Sequence, residues 1–371
     1  MADRLFQPIQ LGDIKLGHRM AMAPLTRFRA NDDHVHQPIA VEYYEQRAST
    51  PGTLLISEAT FISAQAGGYY NVPGIYNEDQ IKAWKAVTDA VHKKGSYIYA
   101  QLWALGRVAN PKALEKDGFK LVSSSDVPVA EGAQAPQPLT EAEIKQYVAD
   151  YATAASNAIK AGFDGVEIHA ANGYLPDQFT SANSNKRTDK YGGSVEKRST
   201  FALEVADAVA KAIGSQKVGI RLSPWSPFQG MDSKDPVPQF SHLISELKKF
   251  NLAYLHLVES RSSGDVAVAT YQSVTNANDK FLQLWGSAPV VLAGGFTPEK
   301  AKKSVGEVYT GDNIIIAFGR SFISTPDLPY RIKNGIELNK YDRSTFYSRK
   351  DPKGYIDQPF SKEWEAAQSR L

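Results

Sequence analysis

Pro289-Val290-Val291-Leu292-Ala293-Gly294-Gly295-Phe296-Thr297-Pro298-Glu299 and, further on, Ile314-Ile315-Ile316-Ala317-Phe318-Gly319-Arg320 decide how this chain folds. Each begins with a continuous apolar run and breaks at glycine. Strands that are apolar throughout, rather than alternately, are buried on both faces, as in a parallel sheet. Thr297-Pro298-Glu299 opens a helix between them, with proline in the first turn where its missing N–H costs nothing. The unit is therefore strand, helix, strand.

Working outward, the same kind of run occurs six more times. The runs are Met20-Ala21-Met22-Ala23, Thr53-Leu54-Leu55-Ile56-Ser57, Ser96-Tyr97-Ile98-Tyr99-Ala100, Gly165-Val166-Glu167-Ile168, Val218-Gly219-Ile220-Arg221-Leu222 and Tyr254-Leu255-His256-Leu257-Val258. Amphipathic segments separate them. Residues 80–94 place Ile81, Trp84, Val87, Ala90 and Val91 on one helical face. Thr140-Glu141-Ala142-Glu143 is a capping box that opens a helix running to Lys160, with Gly162 placed to end it. Residues 194–213 repeat the pattern and are followed by Gly214. Eight strand–helix units in series predict a single (β/α)8 barrel, an α/β fold occupying residues 1–371. A doubly wound open sheet usually has a glycine-rich turn after its first strand, and Ala23-Pro24-Leu25-Thr26-Arg27 has none. Residues 123–138, rich in Ser, Pro and Gly, read as an inserted capping loop.

Composition narrows the chemistry. Of the 371 residues, 42 % are hydrophobic and 22 % charged, which excludes a disordered or fibrous chain. Forty-two Lys and Arg against 40 Asp and Glu leave a net charge of +2, which gives no reason to expect a nucleic-acid or membrane partner. There are no cysteines, hence no disulfide, thiolate metal site or cysteine nucleophile. No run approaches the ~18 apolar residues of a membrane helix, and the charged N-terminus lacks a secretory apolar region. A cytoplasmic location is expected, with Ser369-Arg370-Leu371 close to the S-K-L peroxisomal address. No metal site is expected. His34 and His36 sit in an Asn-Asp-rich stretch without a clear third ligand and read as a solvated loop.

In a (β/α)8 barrel the reacting groups follow the strands' C-terminal ends. Gly294-Gly295 and Gly319-Arg320 follow strands seven and eight, the usual place for a phosphate, with backbone N–H groups and an arginine fork to bind it. His169, Asn172 and Tyr174 share one loop after strand four. His and Asn can donate to a carbonyl oxygen as it gains charge. A tyrosine, with its pKa near ~10, holds a proton at neutral pH. Arg221 is a charge ending a buried strand, so it needs a partner: an internal ion pair or an anionic ligand. Trp103, Phe228, Phe296 and Tyr347 are either core residues or the lining of a flat cofactor's pocket.

Several of these stretches together resemble the Old Yellow Enzyme family. They are residues 22–27, Gln101-Leu102-Trp103, residues 162–175 and Asn185-x-Arg187-x-Asp189-x-Tyr191-Gly192-Gly193-Ser194. Arg221-Leu222-Ser223-Pro224, Phe318-Gly319-Arg320-x-Phe322-Ile323, residues 340–347 and Gly354-Tyr355-Ile356-Asp357 extend the likeness from about residue 5 to 360, closest to the fungal and yeast branch. The resemblance implies one non-covalent FMN, reduction by NADPH, and hydride delivery to an activated alkene. It implies that Pro24, Leu25 and Thr26 contact the flavin ring, with Thr26 bonded to its O4. Ala59 would offer its backbone where yeast members carry glycine. Gln101 would bond the pyrimidine edge, and Arg221 would face N1 and O2. Gly294, Gly295, Gly319 and Arg320 would hold the phosphate. His169 and Asn172 would bind the substrate oxygen, and Tyr174 would donate the proton. Trp103, Phe228, Phe296 and Tyr347 would shape the substrate pocket. The stretch 225–231 and the loop 261–275 diverge from the family pattern, so substrate shape should be particular to this chain. Expected ligands are small activated alkenes and phenols, for a monomer or homodimer. A dedicated ergot-alkaloid-type enal reductase of the same family, or a flavin-binding barrel without turnover, are the alternative readings.

Overall fold

The computed structural model describes residues 3–231, 233–260, 277–309 and 311–370, and the backbone of Ser262–Ser263 and Val266–Ala267. The divergent loop 261–275 and the final Leu371 of the C-terminal tripeptide otherwise lie outside the described residues.

Eight parallel strands form the barrel: β1 (Met20–Met22), β2 (Leu54–Ile56), β3 (Tyr97–Trp103), β4 (Gly165–His169), β5 (Val218–Leu222), β6 (Tyr254–Val258), β7 (Val290–Ala293) and β8 (Ile314–Phe318). Each pairs with the next, and Ala317 of β8 registers with Ala21 of β1, which closes the ring. A helix follows each strand: α1 (Ile39–Arg47), α2 (Glu78–Lys93), α3 (Glu141–Lys160), α4 (Val195–Ile213), α5 (Val237–Lys248), α6 (Asp279–Trp285), α7 (Pro298–Lys303) and α8 (Leu328–Asn334). The caps read from the sequence form as hydrogen bonds. The Thr140 N–H donates to Glu143 Oε2 at 2.7 Å and the Glu143 N–H to Thr140 Oγ1 at 3.2 Å. Thr297 caps α7 and Ser194 caps α4. The third strand runs past the apolar stretch that ends at Ala100, through Gln101 to Trp103, because Gln101 and Leu102 keep their register with Glu167 and Ile168 of β4.

Strand alternation decides what faces where. Leu55, Ile98, Val166, Ile168, Ile220, Leu255, Leu292 and Ile316 point outward into the core shared with the helices, with Trp84 of α2 among their neighbours. Truncating a buried tryptophan of this kind typically costs about 3–5 kcal/mol. The inward positions of β7, β8, β1 and β2 carry Val291, Ala293, Ile315, Ala317, Ala21, Leu54 and Ile56, all apolar and mostly small. On β3 to β6 the positions in phase with inward-facing Tyr99 and Tyr254 carry Gln101, Glu167, His169, Arg221 and His256. The barrel interior is therefore apolar on one half and polar on the other.

A short hairpin missed in the sequence, Ile9–Leu11 with Ile14–Leu16, packs its apolar side against Ala21, Leu54, Tyr99 and Tyr254 at the base of the barrel. The inserted loop is held by a two-residue parallel pairing, Val122–Ser123 with Gln137–Pro138, and by Arg107, which donates to the carbonyls of Pro128 at 3.1 Å and Gln229 at 2.9 Å. Two buried arginines fasten the C-terminal segment over the barrel mouth. Arg27 donates to the carbonyls of Phe346 and Gly354 at 3.1 and 2.7 Å, and Arg29 to those of Thr345 and Phe346 at 2.9 and 2.8 Å. They place Phe346 and Tyr347 beside the cavity described next.

Candidate active site

A cavity of about 540 Å³ opens at the C-terminal end of the barrel. Every candidate site residue named from the sequence lines it. Pro24, Leu25, Thr26 and Ala59 lie on one wall, with Gln101 and Arg221 beside His169, Asn172 and Tyr174. Gly294, Gly295, Gly319 and Arg320 form one end, and Trp103, Phe228, Phe296 and Tyr347 complete the lining. A single cavity gathering groups from so many strand ends is the usual form of a ligand site on this fold.

The loop after β4 is tightly specified. Asn172 adopts φ +57°, a left-handed conformation that asparagine tolerates better than most residues. Its N–H donates to Ser223 Oγ at 2.7 Å. The Gly173 N–H donates to Asp177 Oδ2 at 2.8 Å, and the Gly173 carbonyl accepts from Gln178 Nε2 at 2.8 Å. The result aims Asn172 and Tyr174 into the space above His169. The Tyr174 and Trp103 rings meet edge-on with centroids 4.8 Å apart, which fixes the phenol's direction.

Electrostatics sets the protonation states. Burial, with the nearby charge of Arg221, holds the His169 imidazole well below its ordinary value, so it is neutral at neutral pH. Burial and the neighbouring Tyr69 phenol push Tyr174 well above its usual range, so it keeps its proton. His169 Nδ1 and Arg221 Nε are buried and have no hydrogen-bond partner among the described residues. Unmatched buried polar atoms on residues lining a cavity are what a polar ligand would satisfy.

The glycines fit an anion. Gly294 has φ +142°, and a Cβ there would stand 2.7 Å from Glu259 Cβ; Gly295 has φ +66° with open space beside it. Both leave backbone exposed next to Arg320, whose guanidinium lies 5.5 Å from the Tyr341 ring. Thr297 and Ser321 also line the cavity.

Sequence reasoning missed Phe28, Tyr69, Tyr341 and Phe346, which widen the aromatic lining. Phe28 lies 6.3 Å from Tyr69 and 5.9 Å from Tyr347, centroid to centroid. Gly67-Gly68 immediately before Tyr69 was the available signal of a close turn. The reading of His34 and His36 as a solvated loop is corrected. His34 Nδ1 bonds the Val72 carbonyl at 2.6 Å, while His36 is buried edge-on against Trp84, 3.5 Å from Glu58. Burial lowers the His36 pKa to about 3 and raises that of Glu58 to about 7, because neither charged form is solvated there. Among the described residues no group of three or more His, Cys, Asp or Glu is placed to hold a metal ion. Nor, among them, is any helix long and apolar enough to cross a membrane.

An apolar wall for a ring system, a buried arginine beside it and a glycine-lined cationic end suit a flavin mononucleotide. The residues present fit that group, and they define a flavin-dependent oxidoreductase on a (β/α)8 barrel. The chain belongs to the NADH:flavin oxidoreductase / NADH oxidase family, whose model matches residues 4–339, and to the Old Yellow Enzyme type that its motifs resemble. It is 57 % identical over 366 residues to a chanoclavine-I aldehyde reductase of Penicillium roqueforti (strain FM164), with 98 % of each chain covered. It is 54 % identical over 366 residues to an NADP-dependent oxidoreductase of Aspergillus flavus, with 97 % of each covered. The Old Yellow Enzyme from Pichia sp. AKU4542 superposes with a TM-score of 0.90 at 41 % identity, covering 97 % of this chain and 94 % of that one.

Proposed function

We propose that the protein is an NADPH-dependent ene-reductase that saturates the C=C bond of α,β-unsaturated carbonyl or nitro compounds, with Tyr174 as proton donor. The observation that carries this reading is the convergence of His169, Asn172 and Tyr174 on the cavity that Arg221 and Arg320 also line. FMN, when bound, supplies hydride transfer between the nicotinamide and the alkene.

The chain's own residues prepare the alkene and complete the addition. A conjugated alkene accepts hydride poorly until its electron-withdrawing oxygen is polarised. The neutral His169 imidazole and the Asn172 amide are two fixed N–H donors for that oxygen. They stabilise the negative charge that grows on it, and losing one such donor typically costs ~10²–10³ in rate. Hydride adds at the β-carbon, which leaves the electron pair at the α-carbon. Tyr174 gives its phenolic proton to that carbon. A phenol buried in this way releases its proton only to a strong base, so it does not discharge before the carbanion forms. Pro24, Leu25, Thr26, Ala59 and Gln101 would hold the flavin ring, with Arg221 stabilising negative charge at its edge. Gly294, Gly295, Gly319 and Arg320 would hold the phosphate.

The names of the two fungal relatives direct the choice of substrate and reductant. One is an aldehyde reductase and the other is NADP-dependent. An enal of the ergot-alkaloid type, reduced with NADPH, is accordingly the first compound to try. Phenols, which place an oxygen in the same donor pair, are the expected inhibitors. The test is NADPH consumption by the FMN-loaded protein with 2-cyclohexenone and with an enal, with the products analysed for the saturated compounds. Steady consumption matched by product is expected. FMN binding without any alkene reduction would leave only a flavin-binding barrel and overturn the proposal.

A further inference from the structure

Glu167 is a carboxylate at the centre of the barrel that ene-reduction, as derived above, does not use. It is fully buried, lies two residues before His169 on β4, and does not line the cavity. Its two oxygens are filled by three side chains from two strands. Gln101 Nε2 of β3 donates to Oε1 at 2.8 Å. From β6, the Tyr254 hydroxyl donates to Oε2 at 3.0 Å, and His256 Nδ1 lies 2.7 Å from the same oxygen. Tyr254 can reach past the intervening β5 because Gly219 has no side chain: a Cβ there would stand 2.2 Å from the phenol ring. Two residues further along β5, Arg221 registers with His169 on one side and His256 on the other. The carboxylate is thus bonded to one cavity-lining residue, Gln101, and close enough to another, Arg221, for their charges to interact.

We propose that Glu167 is a positioning residue for the flavin. It holds the Gln101 amide with its carbonyl end toward the cavity, and it offsets part of the Arg221 charge, which keeps the bound flavin's reduction potential below the value Arg221 alone would set. An ionised carboxylate only accepts hydrogen bonds, so it selects the N–H₂ end of the amide and turns the carbonyl end away from itself. Burial alone favours the neutral acid, but the hydrogen bonds from His256 and Gln101 and the charge of Arg221 hold the group below its ordinary value, so it is an anion at neutral pH. Burial holds His256 below its ordinary value, and the imidazole stays neutral beside it. The cluster then carries one negative and one positive charge. Removing the negative charge leaves Arg221 fully available to a reduced flavin that gains electrons and negative charge.

This inference rests on the reading of the cavity as an FMN site. Redox titration of the FMN-loaded wild type against Glu167→Gln tests it. The variant should favour reduced flavin about tenfold or more, a potential at least ~30 mV more positive. Glu167→Asp, which keeps the charge, should return most of the shift. If Glu167→Gln does not load FMN, Tyr254→Phe serves: with one donor fewer, more of the carboxylate's charge falls on Gln101 and Arg221, and the potential should move negative. Potentials equal to wild type in the variants that load FMN overturn the proposal. A wild-type chain that binds no FMN overturns instead the reading of the cavity.

Discussion

The rings of His169 and Tyr174 meet edge-on across the Asn172–Gly173 turn, with centroids 4.8 Å apart and planes at 70°. In the proposed reaction the two groups have opposite jobs within one loop: His169 would stabilise charge on the substrate oxygen, and Tyr174 would discharge the neighbouring carbanion. Burial drives both to the required state, a neutral imidazole and a protonated phenol.

Tyr174→Phe removes the proton without removing the ring. Alkene reduction should fall by ~10²–10⁴, most for substrates whose carbanion is slow to take a proton from water. NADPH oxidation with molecular oxygen as acceptor should persist. Stopped-flow measurement of the two half-reactions separates these, and an undiminished alkene rate would remove Tyr174 from the mechanism.

His169→Ala should lower alkene reduction by ~10²–10³ through loss of one polarising donor. Because His169 is neutral from high pH to well below 6.5, the wild-type rate should show no limb at an ordinary histidine pKa from this residue. A pH profile of kcat/KM between 5.5 and 8 that breaks near 6.5, with the break abolished in the variant, would contradict the assigned neutral state.

Arg320→Ala should weaken FMN binding. A hydrogen bond to a charged group contributes about 1.5–3 kcal/mol, so Kd should rise ten-fold or more, with Arg320→Lys retaining part of the affinity. Titration of apoprotein by flavin fluorescence quenching measures it. An unchanged Kd would move the phosphate away from the β7–β8 end.

Asp177 is buried behind the catalytic loop, and burial raises its pKa to about 7 despite the Gly173 N–H bond. Between the unfolded value near 3.8 and about 7 the folded chain binds the extra proton, so this group's contribution is complete at low pH and is lost as pH rises through 7. Asp177→Asn mimics the protonated acid, so the variant should be less destabilised relative to wild type at pH 8.5 than at pH 5.5. His18 and His36, lowered by burial to about 4 and about 3, act in the other direction. There the unfolded chain takes the proton first, and stability is lost as pH falls from 6.5 toward those values. Thermal unfolding of both proteins across pH checks the sign, and a gap that widens with pH contradicts it.

The barrel was legible because its strands are continuous apolar runs with capped helices between them, and because strand ends carry the chemistry in this fold. Val218–Leu222, Tyr254–Val258 and Ile314–Phe318 fall where they were read. The Ile9–Leu11 hairpin carried a signal, Leu11-Gly12-Asp13-Ile14, in a segment too short to stand out. Phe346 reaches the cavity because Arg27 and Arg29 bind carbonyls more than 300 positions away, a contact no local pattern contains. Glu167 and His256 were visible as charged or polar residues inside apolar strands, but which partners satisfied them depended on register and on the gap at Gly219.

The proposed mechanism needs His169 and Asn172 to face a bound flavin in one cavity, and titration of the FMN-loaded protein with p-chlorophenol tests that most directly. A phenolate held by His169 and Asn172 against the flavin should produce a broad long-wavelength charge-transfer band that saturates with one phenol per chain and disappears in His169→Ala. No band in the wild type, or an equal band in the variant, contradicts the arrangement.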